Sequence, residues 1–166
     1  SMSKVRTLII GDLIVDKYVD CEAIGMSRED PTLVVRPLLE QTFVGGAGIV
    51  AMHAASLGDK TDFLSITGSD GDGEHANKVL LENGVNAILF QDSSRPTTVK
   101  MKYRAEGKTL LRVNKLLDHE IDRTLSDELL RKAKNLLGVV DLLVCSDFSY
   151  GLFSNVFRDS LIDAGN

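Results

Sequence analysis

The 166-residue sequence carries 24 acidic and 19 basic side chains, a net charge of -5, with 43% hydrophobic and 26% charged residues. These are the proportions of an ordinary globular domain, one large enough to bury roughly 70% of the surface its unfolded chain exposes. The bases form no stripe, and no apolar stretch approaches the roughly 20 residues of a bilayer span, so neither nucleic acid nor membrane is expected as a partner.

Ser1-Met2 sets a serine ahead of what reads as an initiator, the pattern tag removal leaves. Val5 to Val15, interrupted by Gly11-Asp12, reads as one buried central strand ending in polar side chains, because a continuous apolar run signals burial on both faces. Lys17 to Val44 shows short β patterns and turn signals with no helix. The small residues Ala47, Gly48, Ala51, Ala54 and Ala55 then predict a helix over 47–57 that can approach a sheet closely and that Gly58 stops. Thr61 to Ile66 is a second central strand, and Asp72 to Glu82 a helix stopped at Asn83-Gly84.

Thr97 to Asn114 returns to a β pattern, a hairpin turning at Glu106-Gly107. Thr124 to Leu137 is amphipathic, with Leu125, Leu129, Ala133 and Leu136 on one face, acids in its first turn and lysines later. Val139 to Cys145 gives a third central strand, and the last residues read as the end of another helix. The alternation predicts an α/β fold with a central, mostly parallel sheet flanked by helices. Segments 17–44 and 97–114 stand outside that rhythm and predict an added antiparallel sheet, a small β flap.

Ligands of open α/β sheets sit outside the carboxyl ends of the strands, where Asp12 and Asp16 fall, and carboxylates there can accept hydrogen bonds from sugar hydroxyls. The plainer reading is that Asp12 caps the turn and Asp16 faces solvent. Gly45-Gly46 opens the small-residue helix, letting a polar ligand approach backbone N-H groups. Gly46-x-Gly48-x-x-Ala51 also matches a dinucleotide fingerprint, but the first strand is already spent on Val5 to Val15 and no acid answers before Asp70. Lys100, Lys102 and Arg112 on the flap either guard an exposed strand edge or bind phosphate. Cys21 and Cys145, with no signal-peptide pattern, fit a reducing, cytoplasmic compartment, and the scattered His53, His75 and His119 predict no metal site.

Taken in order, a strand ending Gly11-Asp12 with Asp16 beyond, a β flap, and Gly45-Gly46-Ala47 leading a helix to Ser56-Leu57-Gly58 resemble the ribokinase or PfkB family of carbohydrate kinases. Thr67-Gly68-Ser69-Asp70-Gly71-Asp72-Gly73 resembles that family's Gly-x-Asp-x-x-Gly turn, and the likeness covers essentially residues 1–166, read as the amino-terminal portion of one ribokinase-like domain. Met26-Ser27-Arg28-Glu29-Asp30-Pro31, Thr98-Val99-Lys100, Leu111-Arg112-Val113 and Ser146-Asp147-Phe148 with Gly151 are most similar to the heptose-phosphate kinase domain of ADP-heptose synthases. The resemblance implies that Asp12, Asp16, Gly45 and Gly46 touch the sugar, that Glu29, Lys100 and Arg112 face it from the flap, and that Asp147 ends a strand near the cleft. It also implies ATP and Mg2+ for the parent enzyme, held outside these residues, and a homodimer formed through the flap.

The family's catalytic Gly-Ala-Gly-Asp is absent, since Gly46-Ala47-Gly48 is followed by Ile49, so no catalytic residue is expected in this chain and the chain alone is expected to be inactive. Ile49 also replaces the family's sugar-binding Asn, Tyr150 stands where the heptose-kinase pattern has Lys, and Asn114 where it has an acid. Ile49 and Tyr150 favour one alternative, a non-catalytic binding or oligomerisation module derived from a kinase. The other alternative, a dinucleotide-binding oxidoreductase, is argued against by the misplaced glycine motif.

Overall fold

The first apolar run divides at Asp12, and the division organises the molecule. In a computed structural model describing residues 4–166, Arg6–Gly11 form β1 and Leu13–Met26 form β2, but the two strands belong to different sheets. The Ser1-Met2 pair lies outside the described residues. The expected single strand over 5–15 is therefore corrected. Asp12 is the residue at which the chain leaves one sheet for the other, and the apolar run continues because both strand roots are buried.

The remaining elements are β3 (Leu33–Gly46), α1 (Ala47–Ser56), β4 (Lys60–Thr67), α2 (Gly71–Glu82), β5 (Val85–Gln91), β6 (Val99–Ala105), β7 (Lys108–Lys115), α3 (Arg123–Leu137), β8 (Leu142–Ser146) and α4 (Asn155–Gly165). The main sheet has order β5-β4-β1-β8 and is parallel at every pairing. Strand β5 is an addition to the sequence reading, and the third central strand begins at Leu142 rather than Val139.

Alternate residues of β1 feed two cores. Ile9 packs with Phe63, with Ala47 and Ala51 of α1, with Ala76 and Leu80 of α2, and with Val15, Val44 and Val99 at the roots of the second sheet. Leu8 and Ile10 point the other way, to Leu125, Leu129 and Ala133 of α3 and to Phe157 and Leu161 of α4. This period of two gives the sheet its two helical layers. Burial of each such Leu, Ile or Phe side chain contributes about 1.5–3 kcal/mol.

The second sheet has order β3-β2-β6-β7 and is built from both segments that the sequence set apart. It is mixed rather than antiparallel. β2–β3 and β6–β7 are antiparallel hairpins, but β2 and β6 run parallel, with Asp16 opposite Lys100 and Tyr18 opposite Lys102. Parallel pairing follows from connectivity, because β6 enters from the main layer beside β2, which also starts there. The β6–β7 turn falls at Glu106 and Gly107, both with positive φ (50° and 76°), the conformation a tight two-residue hairpin requires.

Candidate functional site

β1 connects toward β4 on one side and pairs β8 on the other, so the crevice beyond its carboxyl end is the switch point at which open α/β sheets bind ligands. Asp12 stands there, only 3% exposed. Its carboxylate accepts a hydrogen bond from the Phe148 N-H at 2.7 Å, and its carbonyl accepts from the Ala47 N-H at 2.9 Å. Burial pushes the Asp12 carboxyl above its ordinary range, with the Phe148 amide pulling it back and Asp147 pushing it further up. Asp12 thus fastens the loop after β8 and the start of α1 from inside the protein.

Asp16, four residues on, is the open carboxylate. It lies across from Lys100 on β6, which in turn lies across from Asn114 on β7, while the next row along the same face is Tyr18, Lys102 and Arg112. Asp16, Lys100, Met101, Lys102, Arg112 and Asn114 line one cleft of about 260 Å³, just below the roughly 300–1,000 Å³ of small-molecule sites. Three cations face one carboxylate. Among the described residues, none of the four takes part in an ion pair within 4 Å, and the Asp16 carboxylate makes no hydrogen bond. Partial burial raises its pKa, and Lys100 and Lys102 draw it back down.

The glycines close the floor. A β-carbon on Gly45 would collide with the Asp16 carboxylate, and one on Gly46 would collide with the Asp12 carbonyl. Gly46 also has φ of 59°, which side-chain-bearing residues rarely adopt, and it is the residue from which α1 departs. Both glycines are needed for β3 and α1 to close on the two acids. Gly48 packs against Val44 and Leu13, inside the core, and α1 follows a flap strand rather than the first strand of a βαβ unit, so the dinucleotide fingerprint lacks its structural context.

The other expected residues lie elsewhere. Glu29 sits exposed in the β2–β3 hairpin turn, its N-H donating to Ser27 Oγ at 3.2 Å, thirteen residues along the chain from Asp16. Asp147 follows β8 and is engaged by Arg158 at 2.8 Å and by the Ser149 N-H at 2.7 Å. A larger apolar cleft of about 620 Å³ between β8 and α4 has that Asp147–Arg158 pair as its charged lining.

Two positioning groups escaped the sequence reading. Arg95, whose side chain is 5% exposed, pairs with Asp92 at 2.8 Å and donates to the carbonyls of Tyr150 (3.2 Å) and His119 (3.1 Å). Thr97 donates through both its N-H (2.9 Å) and its hydroxyl (2.6 Å) to Asp70, the residue that also caps α2 through the Gly73 N-H. Together these bonds fix the chain that delivers Lys100 to the cleft. A lone Arg in a polar loop gives no periodic signal, and the Gly-x-Asp-x-x-Gly turn was the available clue to Asp70.

No protein-family model matches the chain. It is similar to D-beta-D-heptose 7-phosphate kinase of Bordetella bronchiseptica, 30% identical over 163 residues, which span 98% of this chain and 51% of that protein. It is likewise 30% identical over 166 residues to the bifunctional protein HldE of Rhodospirillum rubrum, covering 99% of this chain and 34% of that protein. The chain thus spans about half the length of the first relative and a third of the second. Among solved structures, phosphofructokinase-2 of Escherichia coli in complex with fructose-6-phosphate superposes with a TM-score of 0.68 at 18% identity, over 99% of this chain and 52% of that one. Arabidopsis thaliana ribokinase complexed with ribose and ATP gives 0.67 at 16% identity, over 98% and 50%. The fold is that of the ribokinase-like carbohydrate kinases. No helix among the described residues is long and apolar enough to cross a membrane.

Proposed function

We propose that this chain, ribokinase-like in fold and related over nearly its whole length to heptose 7-phosphate kinases, is the sugar-phosphate-binding part of an ATP-dependent carbohydrate kinase. The observation that carries the reading is the unpaired set around one cleft: the Asp16 carboxylate with Lys100, Lys102 and Arg112. An acid and cations that neighbour one another without pairing are prepared for a ligand that donates to the acid and accepts from the cations. A sugar phosphate does both, its hydroxyls donating to Asp16 and its phosphate oxygens taking charge-assisted bonds from lysine and arginine. Asp12, Gly45 and Gly46 serve by holding the floor beneath Asp16, and Asn114 adds an amide at the rim.

Phosphoryl transfer to a sugar hydroxyl would draw on ATP and Mg2+. Among the described residues no group of three or more His, Cys, Asp or Glu converges as a metal site, and no Gly-Ala-Gly-Asp is present, so neither group is assigned to residues of this chain. The chain alone is expected to bind substrate without turning over ATP. The apolar side chains Leu38, Leu39, Leu111 and Val113, all exposed on the flap, support a homodimer formed there. A cytoplasmic setting agrees with its free cysteines.

Calorimetric titration with heptose 7-phosphate, fructose 6-phosphate and NAD tests the reading. A sugar phosphate is expected to bind, Asp16→Ala to abolish that binding, and NAD to give no heat. Binding of NAD alone, or sugar-phosphate binding indifferent to Asp16→Ala, overturns it.

A further inference from the structure

The Lys100 ammonium lies 5.3 Å from the centroid of the Tyr150 ring. Tyr150 belongs to the loop after β8, a different part of the fold from the flap that carries Lys100. Resting on the sugar-phosphate reading above, we propose that Tyr150 is a positioning residue for the substrate phosphate: its ring holds the Lys100 ammonium at the cleft and so sets the preference for phosphorylated over free sugar.

Three features carry this. The first is what Lys100 does not touch, since among the described residues no carboxylate lies within 4 Å of it, although Asp16 is its neighbour across the strands. A salt bridge to Asp16 would consume the donors of one and the acceptors of the other. An aromatic face attracts the cation without taking a directed hydrogen bond, so the ammonium donors stay available to phosphate oxygens.

The second is how firmly Tyr150 is placed. Its carbonyl accepts from the buried Arg95 guanidinium, and the amides of Phe148, Tyr150 and Leu152 all bear on the buried Asp12 carboxylate. The residues on either side, Ser149 (φ 65°) and Gly151 (φ 96°), both adopt the left-handed conformation, and Gly151 is pressed so closely against the His119 carbonyl that a β-carbon would clash. A serine at positive φ persists only where its surroundings over-determine it. The loop is built to present this one ring.

The third is the residue type. A lysine at this position would set a second ammonium beside Lys100 and repel it. An aromatic ring there turns repulsion into attraction, so one cation is held in place of two that compete.

The test is a double-mutant cycle on the 166-residue chain, read by calorimetry with heptose 7-phosphate and with the same heptose lacking its phosphate. Tyr150→Leu is expected to weaken heptose 7-phosphate binding about fivefold, the size a partly exposed cation–π contact supports, and to leave the free heptose unchanged. Tyr150→Phe, which keeps the ring, should bind like the unsubstituted chain. In a Lys100→Gln background, Tyr150→Leu should cost nothing further, because its effect runs through the ammonium. Equal losses for both sugars, a loss undiminished in the Lys100→Gln background, or no loss on Tyr150→Leu each overturns the inference alone. Failure of the unsubstituted chain to bind heptose 7-phosphate brings down the functional reading and the inference with it.

Discussion

Gly45 lies directly beneath Asp16, with no room between them for a β-carbon. Gly45 itself is not in a left-handed conformation, so alanine there meets a clash rather than backbone strain. Gly45→Ala is therefore expected to push the Asp16 carboxylate out of the cleft and to reduce sugar-phosphate affinity nearly as much as Asp16→Ala, by tenfold or more for a charged hydrogen bond of roughly 1.5–3 kcal/mol. Thermal unfolding followed by circular dichroism should show only a small change, which separates displacement of the acid from damage to the fold.

The pH dependence of binding follows from the same carboxylate. Burial raises the Asp16 pKa above its unfolded value of 3.8, and Lys100 and Lys102 partly offset it. The group then holds its proton in the folded chain at pH values where the unfolded chain has lost it, so its contribution to folding stability declines as pH rises through that window. Binding that needs the ionised acid moves the opposite way and strengthens as pH rises through the raised value. Titrations with an unphosphorylated sugar, which brings no ionisable group of its own, should show that inflection. Lys100→Gln should move it to higher pH, and Asp16→Asn should remove it.

Asp70 has the reverse sign. Burial works against its ionised form, but hydrogen bonds from the Thr97 hydroxyl and N-H and the Gly73 N-H outweigh that and hold it below 3.8. Its stabilising contribution is complete above that pH and is lost as pH falls through the lower, folded-state value. Asp70→Ala removes the α2 cap and orphans Thr97, an expected cost of about 1–3 kcal/mol at neutral pH. Urea unfolding should show that difference between Asp70→Ala and the unsubstituted chain shrinking under acid conditions.

Arg95→Ala leaves Asp92 buried and unpaired and frees the carbonyls of Tyr150 and His119. Breaking a buried pair in this way costs about 3–5 kcal/mol. A large drop in the urea midpoint is expected, together with faster amide exchange in residues 147–152. Exchange unchanged in that loop would show that Arg95 does not brace it.

The main layer was legible because its signals are periodic: the stripe of Leu125, Leu129 and Ala133, the small residues of α1, and the apolar runs at Ile9 and Phe63. The break at Asp12 was not, because two buried strand roots in different sheets produce the same continuous run as one long strand. The parallel pairing of β2 with β6 depends on contact across some 80 residues and leaves no local mark. At the site, the structure brings Asp16, Lys100 and Arg112 to one cleft, whereas Asp12 and Asp16, both acids at a strand end in the sequence, differ in burial and in partners, Asp12 being bonded by the Phe148 N-H and Asp16 facing the flap lysines. Tyr150 stood out in sequence only as a mismatch, since an aromatic partner for a lysine in another segment has no spacing rule.

Strand order also bears on how fast the chain reaches this arrangement. Of the six strand pairings only β2–β3 and β6–β7 are hairpins, while β1 must find both β4 and the distant β8. Loop closure of that length precedes any reward from contact, and topologies dominated by such pairings fold on the millisecond-to-second scale rather than in microseconds. The two hairpins close the shortest loops and are expected to form first, and β1, which separates both cores, is complete only when β8 arrives. Until then the edges of β1 stand open, available to chaperones and to pairing with a second copy of the chain.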